Sequence, residues 1–560
     1  MSWSKKEILL LLGISLIFLV LRVPGLHNLY HQDEYKWPII VNPALTEPGG
    51  IPHPPVGEFI YRELGALVGY DNFRTIPLIF SFINLFLLFY LAKMVGDRRN
   101  AFWSVFFFAI SFYSVLASLM VDTDGAIMPT FLLVAFIGYY KLRETNFQFS
   151  LRDFQKSKWF MLMILGLVLG FFVKASFVIG IGALGLDFAF EKKIFSDRRK
   201  ILRYFFFALG GAIALVLLLL FAKLLFPFFK LEASVKYWEH FFRFADRGWL
   251  QTFIQFAKSI MYLSPLLLLP ALFLDRQMIS KYRPFIFFIL LGLVFYLLIF
   301  DFSSGALDRY FQYLILPATV IVGAVFGKYF NSDSGELNKA DIFSVSVISL
   351  AVFSLQFFGH FVPSLYPKTE WLSRIFSLKW NFLFPFTGGS GPSGFYVSFL
   401  FIALLWICSA VFVVSALKIK EAKRKAIFCL LVLGILYNGV FVEEYLWGKI
   451  NGSPYHLFDG VKTYLSEHKD IKNVVVYNDI GGYEVQQMGK YARRLYATPQ
   501  FEESYKQYFQ NFSGHILYID IPKIEAQSFY AKYFSFCQTI YSARDREISA
   551  KIFYCKPPRK

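Results

Sequence analysis

Long apolar runs separated by polar segments of varied length recur from residue 7 to residue 446. Runs of about 17–25 residues recur, and each is long enough to cross a bilayer core roughly 30 Å thick. Because backbone N–H and C=O groups have no water partners in lipid, each run is predicted to be a helix. The pattern predicts thirteen spans, at residues 7–24, 75–95, 100–120, 125–142, 158–173, 175–190, 201–225, 257–274, 284–300, 310–329, 342–360, 394–417 and 426–446.

The hydrophobic pattern changes after the last span. Residues 473–477 and 515–519 have the composition of short buried strands, and polar stretches of helical length, such as 499–512, lie between them. The predicted fold class is therefore a polytopic α-helical membrane protein, with about thirteen transmembrane helices and a small C-terminal α/β extracytoplasmic domain. We expect the membrane domain, with a first outside loop at 25–74, to cover 1–446 and the α/β domain to cover 447–560.

Charge adds an orientation to this picture. The formal net charge is +18, and 56% of the residues are hydrophobic. The Lys and Arg clusters fall in alternate loops, which marks those loops as cytoplasmic and explains the positive charge without nucleic acid. We therefore expect a multi-pass protein of the cytoplasmic (inner) membrane, with its N-terminus in the cytoplasm and its C-terminal domain outside.

Two cysteines, Cys537 and Cys555, lie in the C-terminal domain. Residues 534–541 and 548–554 are predicted to be two strands around a polar turn, and a hairpin centred on Arg546 places the cysteines opposite each other. An outside compartment permits oxidation. The sequence predicts a disulfide, with two free thiols as the alternative.

Several polar groups lie on the predicted outside face, at the ends of apolar runs. They are Asp33 with Glu34, Asp122 with Asp124, His53 before Pro54 and Pro55, and the cations Arg74, Lys174 and Arg309, the last followed by Tyr310.

Each group also has a purely structural explanation. An Asp-Glu pair occurs in solvated loops, Arg74 and Arg309 lie at helix ends where cations snorkel, and Asp122 is placed to cap a helix. Lys174 is different, because apolar residues flank it and its ammonium needs a buried anion or water. Together these groups put acids and cations on one face of the membrane, which suits a reaction on a lipid-bound phosphate.

The chemistry of such a reaction needs few groups. A sugar on a polyprenyl phosphate already carries a good leaving group, whose growing charge cations can stabilise. The acceptor hydroxyl needs a base, which a carboxylate supplies. No general acid is required, in contrast to glycoside hydrolysis with its two carboxylates.

These motifs resemble the polytopic C-type glycosyltransferases, in the branch of the protein O-mannosyltransferases and the aminoarabinose lipid A transferases. The Asp-Glu pair in the first outside loop is typical of that branch, and His-Pro-Pro is its mannosyltransferase form. The segments that carry the resemblance are 31–35, 53–57, Arg74, 172–174, 309–310 and 316–317. One residue departs from the mannosyltransferase pattern, since Glu58 stands where a Lys is usual, so a mannosyl donor and a protein acceptor are not implied.

The resemblance implies roles for individual residues. Asp33 is expected to be the base and Glu34 its neighbour in the catalytic pair. The expected donor-phosphate group is His53, Arg74, Lys174, Arg309 and Tyr310. Asp122 and Asp124 form a secondary acidic site similar to the metal-binding motif of oligosaccharyl transferases. Because the mannosyltransferase branch is metal-independent, we expect no metal and no other cofactor, with a divalent ion at Asp122 and Asp124 as the alternative.

The leading hypothesis is therefore an inverting glycosyltransferase. It would take a sugar from a polyprenyl-phosphate donor, among membrane lipids and without nucleic acid, to a lipid, glycan or protein acceptor. One alternative is a transporter or flippase of a lipid-linked saccharide, which predicts broken helices in matching halves. Another is a membrane scaffold whose C-terminal domain binds cell-wall material, which leaves Asp33, Glu34 and Lys174 unexplained.

Overall fold

Helices dominate the computed structural model of the chain. It describes residues 4–42, 51–147, 158–241, 247–300, 307–330, 337–364, 369–386, 394–417, 419, 422–497 and 501–556. Two compact units are distinguished. The first consists of Met1–Leu26, Lys36–Glu336 and Phe412–Leu430, and the second of His27–Tyr35, Leu337–Val411 and Leu431–Lys560.

Each of the thirteen predicted spans overlaps a helix. In the described part of the chain, ten helices are long and apolar enough to cross a membrane, and a bent pair makes an eleventh if it counts as one span. The ten are Lys5–His27, Thr75–Val95, Thr123–Glu144, Arg198–Leu225, Trp249–Phe273, Arg276–Ile299, Phe311–Tyr329, Lys339–Phe357, Phe399–Leu417 and Ala422–Leu446. The other two predicted spans correspond to Lys158–Val173 and Val178–Glu191, which are 16 and 14 residues long.

The bent pair consists of Arg98–Ile110 and Phe112–Leu119, which meet at an angle of 66°. A break of this kind leaves carbonyl groups without their helical partners. Arg22, which is fully buried, donates to the carbonyls of Phe108 and Ala109 on the broken turn, at 3.2 and 2.9 Å. Its guanidinium also donates to Ser114, Ser118 and the carbonyl of Phe18. One arginine thus supplies the hydrogen bonds that the bend removes.

The helix Arg198–Leu225 differs from its neighbours because it buries Ala222 alone among its 28 residues. Ala222 packs with Phe172 and Phe229 at the end of the helix. Most of its remaining apolar surface is exposed.

In the second unit, five strands form one sheet, in which the segments 491–495, 474–477, 514–519, 548–555 and 538–545 lie side by side in that order. Its strands are β3 (Val474–Tyr477), β4 (Tyr491–Leu495), β5 (Gly514–Ile519), β6 (Gln538–Asp545) and β7 (Ile548–Cys555), while β1 (Leu383–Phe386) and β2 (Phe395–Ser398) pair separately. β3 is parallel to β4 and β5, and β7 is antiparallel to its neighbours.

Both faces of the sheet are covered, so β3 is buried along its whole length. The helix Pro454–Glu467 packs on the face of Val474 and Val476. The helices Glu502–Gln510 and Phe529–Ser535 pack on the face of Val475 and Tyr477. The predicted strands at 473–477 and 515–519 and the helix within 499–512 are thereby confirmed in type.

The predicted disulfide between Cys537 and Cys555 is present, with the two Cα atoms 4.5 Å apart. The predicted hairpin is wrong in detail. Residues up to Ser535 form a helix rather than a strand, and the turn has two residues, with Arg546 at φ 54°. An irregularity between Thr539 and Tyr541 shifts the pairing by one residue, and this shift brings the cysteines together.

The twelfth predicted span also begins too early. Residues 395–398, which were assigned to a helix from 394 onward, form strand β2, and the helix begins at Phe399. The reason is the pairing of this segment with β1, which apolar content alone does not reveal.

Candidate functional site

Lys174 occupies the break between the two short helices of the first unit. Its backbone is extended, with φ −159° and ψ 136°, so the helix that ends at Val173 cannot continue through it. The side chain is buried, and its ammonium forms an ion pair with Asp124. This is the buried anion that the sequence required for Lys174.

Arg309 joins the same group of charges. It is buried, and its guanidinium lies 3.0 Å from Oδ2 of Asp122 and 3.8 Å from Oδ2 of Asp124. It also donates to the hydroxyl of Tyr310 at 2.8 Å. We call Asp122, Asp124, Lys174 and Arg309 the charged quartet; its two carboxylates balance its two cations.

The backbone around Asp122 explains how two buried acids come so close together. Asp122 precedes the short π-helix Thr123–Ile127, and its Oδ1 accepts from the N–H of Thr123 at 2.6 Å. The predicted capping role is thus confirmed, while the other oxygen faces Arg309. Burial would raise the pKa of Asp122, but the charges of Arg309 and Lys174 outweigh burial and hold that pKa below its ordinary value.

A cavity with about 550 Å³ of empty space, part of it open, lies beside the quartet. Its wall is largely aromatic and apolar, with a few polar groups, as ligand sites in proteins commonly are. The lining residues are His53, Lys174, Ala175, Ser176, Val178, Tyr237, Trp238, Phe295, Tyr296, Phe300 and Tyr310.

His53 contributes a neutral ring to this wall. Burial lowers its pKa well below the ordinary value, and the charge of Lys174 lowers that pKa further. The ring packs edge-on against Tyr237, with the centroids 5.4 Å apart. The neutral imidazole can donate one hydrogen bond and accept another.

Arg74 is placed differently from the other predicted cations. It is fully buried, it donates to the carbonyl of Leu119, and it is not among the residues that line the cavity. The suggestion that Arg74 and Arg309 snorkel is wrong, because both are buried among protein groups.

Asp33 and Glu34 belong to the second unit, in the first turn of the helix Gln32–Val41. Glu34 is fully buried, and its carboxylate accepts from the backbone N–H of His31 at 3.0 Å. A Glu that reaches back to the first N–H of its helix fixes how the helix starts. The solvated-loop explanation is therefore wrong for Glu34, while Asp33 is half-buried in the turn that Glu34 closes.

Of the aromatic side chains that line the cavity, the sequence identified His53 and Tyr310 but not Tyr237, Trp238 or Tyr296. Tyr237 and Trp238 come from a predicted outside loop, and Tyr296 from the end of an apolar run. The Tyr-Trp pair in a polar loop is the signal that was available. Glu58, the departure from the mannosyltransferase pattern, is buried and forms an ion pair with Arg62 at 2.6 Å.

No cluster of three or more His, Cys, Asp or Glu side chains suited to a metal occurs among the residues that the structure describes. Asp122 and Asp124, the predicted alternative metal site, face the cations Arg309 and Lys174 instead. These two carboxylates are therefore engaged in ion pairs with cations of the same site.

Comparisons with known proteins agree with this picture. The profile of the family described as dolichyl-phosphate-mannose-protein mannosyltransferase matches residues 52–222. A crystal structure of ArnT from Cupriavidus metallidurans in the apo state is similar, with 10% sequence identity and a TM-score of 0.50. The alignment covers 99% of this chain and 98% of the ArnT chain. The same protein bound to undecaprenyl phosphate is 11% identical, with 98% of each chain covered and a TM-score of 0.52.

A comparison with curated protein sequences finds no match. The likeness to ArnT extends over nearly the whole chain and shows a common fold. The predicted resemblance to the C-type glycosyltransferases of the ArnT and mannosyltransferase branch is confirmed.

Proposed function

We propose that this membrane protein is an inverting glycosyltransferase that moves a sugar from a polyprenyl-phosphate donor to an acceptor outside the cytoplasmic membrane. The observation that carries the proposal is the charged quartet beside a largely aromatic cavity. The family description, which names a dolichyl-phosphate sugar, and the undecaprenyl phosphate in ArnT support a lipid phosphate as the ligand.

The quartet suits a phosphate whose charge increases during the reaction. Transfer breaks the bond between the sugar carbon and the phosphate oxygen, and the electron pair stays on that oxygen. The lipid phosphodiester thereby becomes a monoester with more negative charge. Lys174 lines the cavity, and Arg309 holds Tyr310 in its wall. Cations fixed in advance stabilise the developing charge without having to move.

In this proposal Asp33 accepts the proton of the acceptor hydroxyl as that oxygen attacks the sugar. Glu34 acts by closing the helix turn on which Asp33 stands. Attack on the side opposite the leaving phosphate inverts the sugar carbon. No step is assigned to a metal, because the cations of the quartet already engage Asp122 and Asp124; a chelator is expected to leave turnover unchanged.

The same proposal orients the protein. The N-terminus is cytoplasmic, and the C-terminal domain is outside, where polyprenyl-phosphate sugars of the cell envelope are used. The disulfide in that domain supports an oxidising compartment. The sugar and the class of acceptor, whether lipid, glycan or protein, are left open.

The substitution Asp33→Asn tests the proposal. It keeps the size of the side chain but removes the base, so transfer should fall to background while the protein still inserts and folds. Membranes with either variant are given a panel of undecaprenyl- and dolichyl-phosphate sugars, and released polyprenyl phosphate is measured by mass spectrometry. Asp71→Asn, a change at an exposed acid, is the control. Wild-type release by Asp33→Asn would refute the assigned base.

A further inference from the structure

The turn after strand β3 of the C-terminal domain has an unusual backbone. Asn478 and Asp479 both have positive φ angles, 50° and 57°, and Gly481 follows at 76°. Two successive non-glycine residues in this region are costly, and such strain gathers at functional sites. Asp479 is also fully buried.

The carboxylate of Asp479 is held by two tyrosines. Its Oδ2 accepts from the hydroxyl of Tyr35 at 2.5 Å, and its Oδ1 accepts from Tyr491 at 3.0 Å. A Cβ at position 482 would lie 2.3 Å from Oδ1, so Gly482 leaves the space that the carboxylate occupies. The strained turn therefore presents a buried acceptor to a residue that lies 444 positions away in the sequence.

Tyr35 stands two residues after Asp33, within the same helix. Other contacts link the domain to this segment. The ring of Tyr483 packs edge-on against Tyr30 at 5.2 Å and lies 6.0 Å from the ring of Tyr35. The residues on both sides of the Asp33–Glu34 pair are thus bound to one turn of the domain.

The topology of the sheet places this turn where sheets of this kind commonly bind ligands. The chain leaves β3 toward β4 on one side, and it leaves β5 toward β6 and β7 on the other. Open α/β sheets bind ligands at such a switch point, beyond the carboxyl ends of the strands. Asp479 lies just after the carboxyl end of β3, and its partner there is Tyr35.

We propose that the C-terminal α/β domain uses its switch point to position Asp33, through the hydrogen bond between Asp479 and Tyr35. The inference rests on the proposed role of Asp33 as base. In this role Asp479 is a positioning residue, which touches neither donor nor acceptor. In this proposal, residues 27–35, which include Asp33, occupy the place at the end of β3 where related sheets bind a ligand.

The electrostatic surroundings of Asp479 agree with this arrangement. Burial raises the pKa of Asp479 most, while Tyr35, Arg494 and Tyr491 oppose that rise. The charge of Asp33 raises it as well.

Two variants of Asp479 test the inference through turnover. Asp479→Ala removes the acceptor, and transfer should fall between about tenfold and a hundredfold, because a shift of about 1 Å at a reacting group costs this much. Donor affinity should stay unchanged, since the change affects kcat rather than donor binding. Asp479→Asn keeps an acceptor for Tyr35 and should recover most of the loss.

Tyr477→Phe is the matched control. It removes the buried hydroxyl that donates to the carbonyl of Pro522 at 2.6 Å, two residues before Asp479. It should retain wild-type turnover. Equal losses in Asp479→Ala and Tyr477→Phe would mean that the hydrogen bond only stabilises the domain, and would overturn the inference.

Hydrogen exchange of residues 27–35 separates this inference from the proposed function. Asp479→Ala should speed exchange of the Glu34 and Tyr35 amides, which are bonded to the carbonyl of His31, and Tyr477→Phe should not. Unchanged exchange in Asp479→Ala would refute the docking of this segment. Faster exchange with normal turnover would refute the positioning of a base. Asp33→Asn should lose turnover with normal exchange, and normal turnover there would instead refute the proposed function.

Discussion

At the residue scale, the charged quartet is the part of the site that we propose binds the donor phosphate. Both cations of the quartet have a carboxylate partner. Asp124 lies within ion-pair distance of both Lys174 and Arg309. A buried charge without a partner is costly, and the two acids supply partners that hold both cations in place before the donor arrives. The attraction to the phosphate then becomes stronger as the sugar leaves.

We therefore expect Lys174→Ala and Arg309→Ala each to lower turnover more than they weaken donor binding. The double variant should lose less than the sum of the two in free-energy terms, because the cations share Asp124 and one phosphate. Turnover and donor affinity are measured separately for all three. Lys141→Ala, which breaks the Lys141–Glu144 ion pair far from the cavity, is the control. Wild-type turnover in both single variants would show that Lys174 and Arg309 do not bind the phosphate.

At the element scale, the bent pair depends on one side chain. Arg22 makes five hydrogen bonds, two of them to carbonyls at the break. Its planar fork of donors matches several acceptors at once, which a lysine cannot do. The bend is therefore stabilised from the first helix rather than from its own sequence.

Arg22→Ala should lower the free energy of unfolding in detergent by roughly 2–4 kcal/mol, because it leaves buried carbonyls without donors. Arg98→Ala, which breaks an ion pair with Glu7 near the surface, should lower the free energy of unfolding much less. Denaturation by increasing fractions of sodium dodecyl sulfate measures both. Equal effects of the two substitutions would show that Arg22 does not support the bend.

Comparison of the predicted spans with the observed helices shows how far the elements were predictable. Apolar length finds a helix at each of the thirteen predicted positions, because lipid imposes helices on long apolar runs. The bend after Ile110 and strand β2 escaped prediction, because both depend on partners distant in sequence. Arg22 lies at the end of the first apolar run and had no visible purpose there, since its acceptors become available only when another helix bends.

At the scale of the whole molecule, the proposed orientation has a direct test. Alkaline phosphatase is active only outside the cytoplasm, so a fusion after Lys560 should be active. A fusion in the loop at Asp97, between two predicted spans, should be inactive, because Arg98 and Arg99 mark that loop as cytoplasmic. An inactive fusion after Lys560 would contradict the proposed location of the C-terminal domain.

The candidate site was predictable in part. The charge of Lys174 among apolar neighbours predicted a buried partner, and in the structure that partner is Asp124. Asp479 could not be found in this way, because an Asp in a strand-to-helix turn has the composition of an ordinary turn. Its partner Tyr35 lies in the first outside loop, and no pattern in either segment points to the other.

The helix Arg198–Leu225 has a consequence for the membrane in which the protein works. Because little of this helix is held by protein, we expect its tilt to respond to the thickness of the surrounding bilayer. Its fixed point, Ala222, lies at the end that leads to the helix Leu231–Phe241, and that second helix brings Tyr237 and Trp238 to the cavity wall. A change of tilt would then act on this part of the cavity wall, so we expect turnover to differ between membranes of short-chain and long-chain lipids.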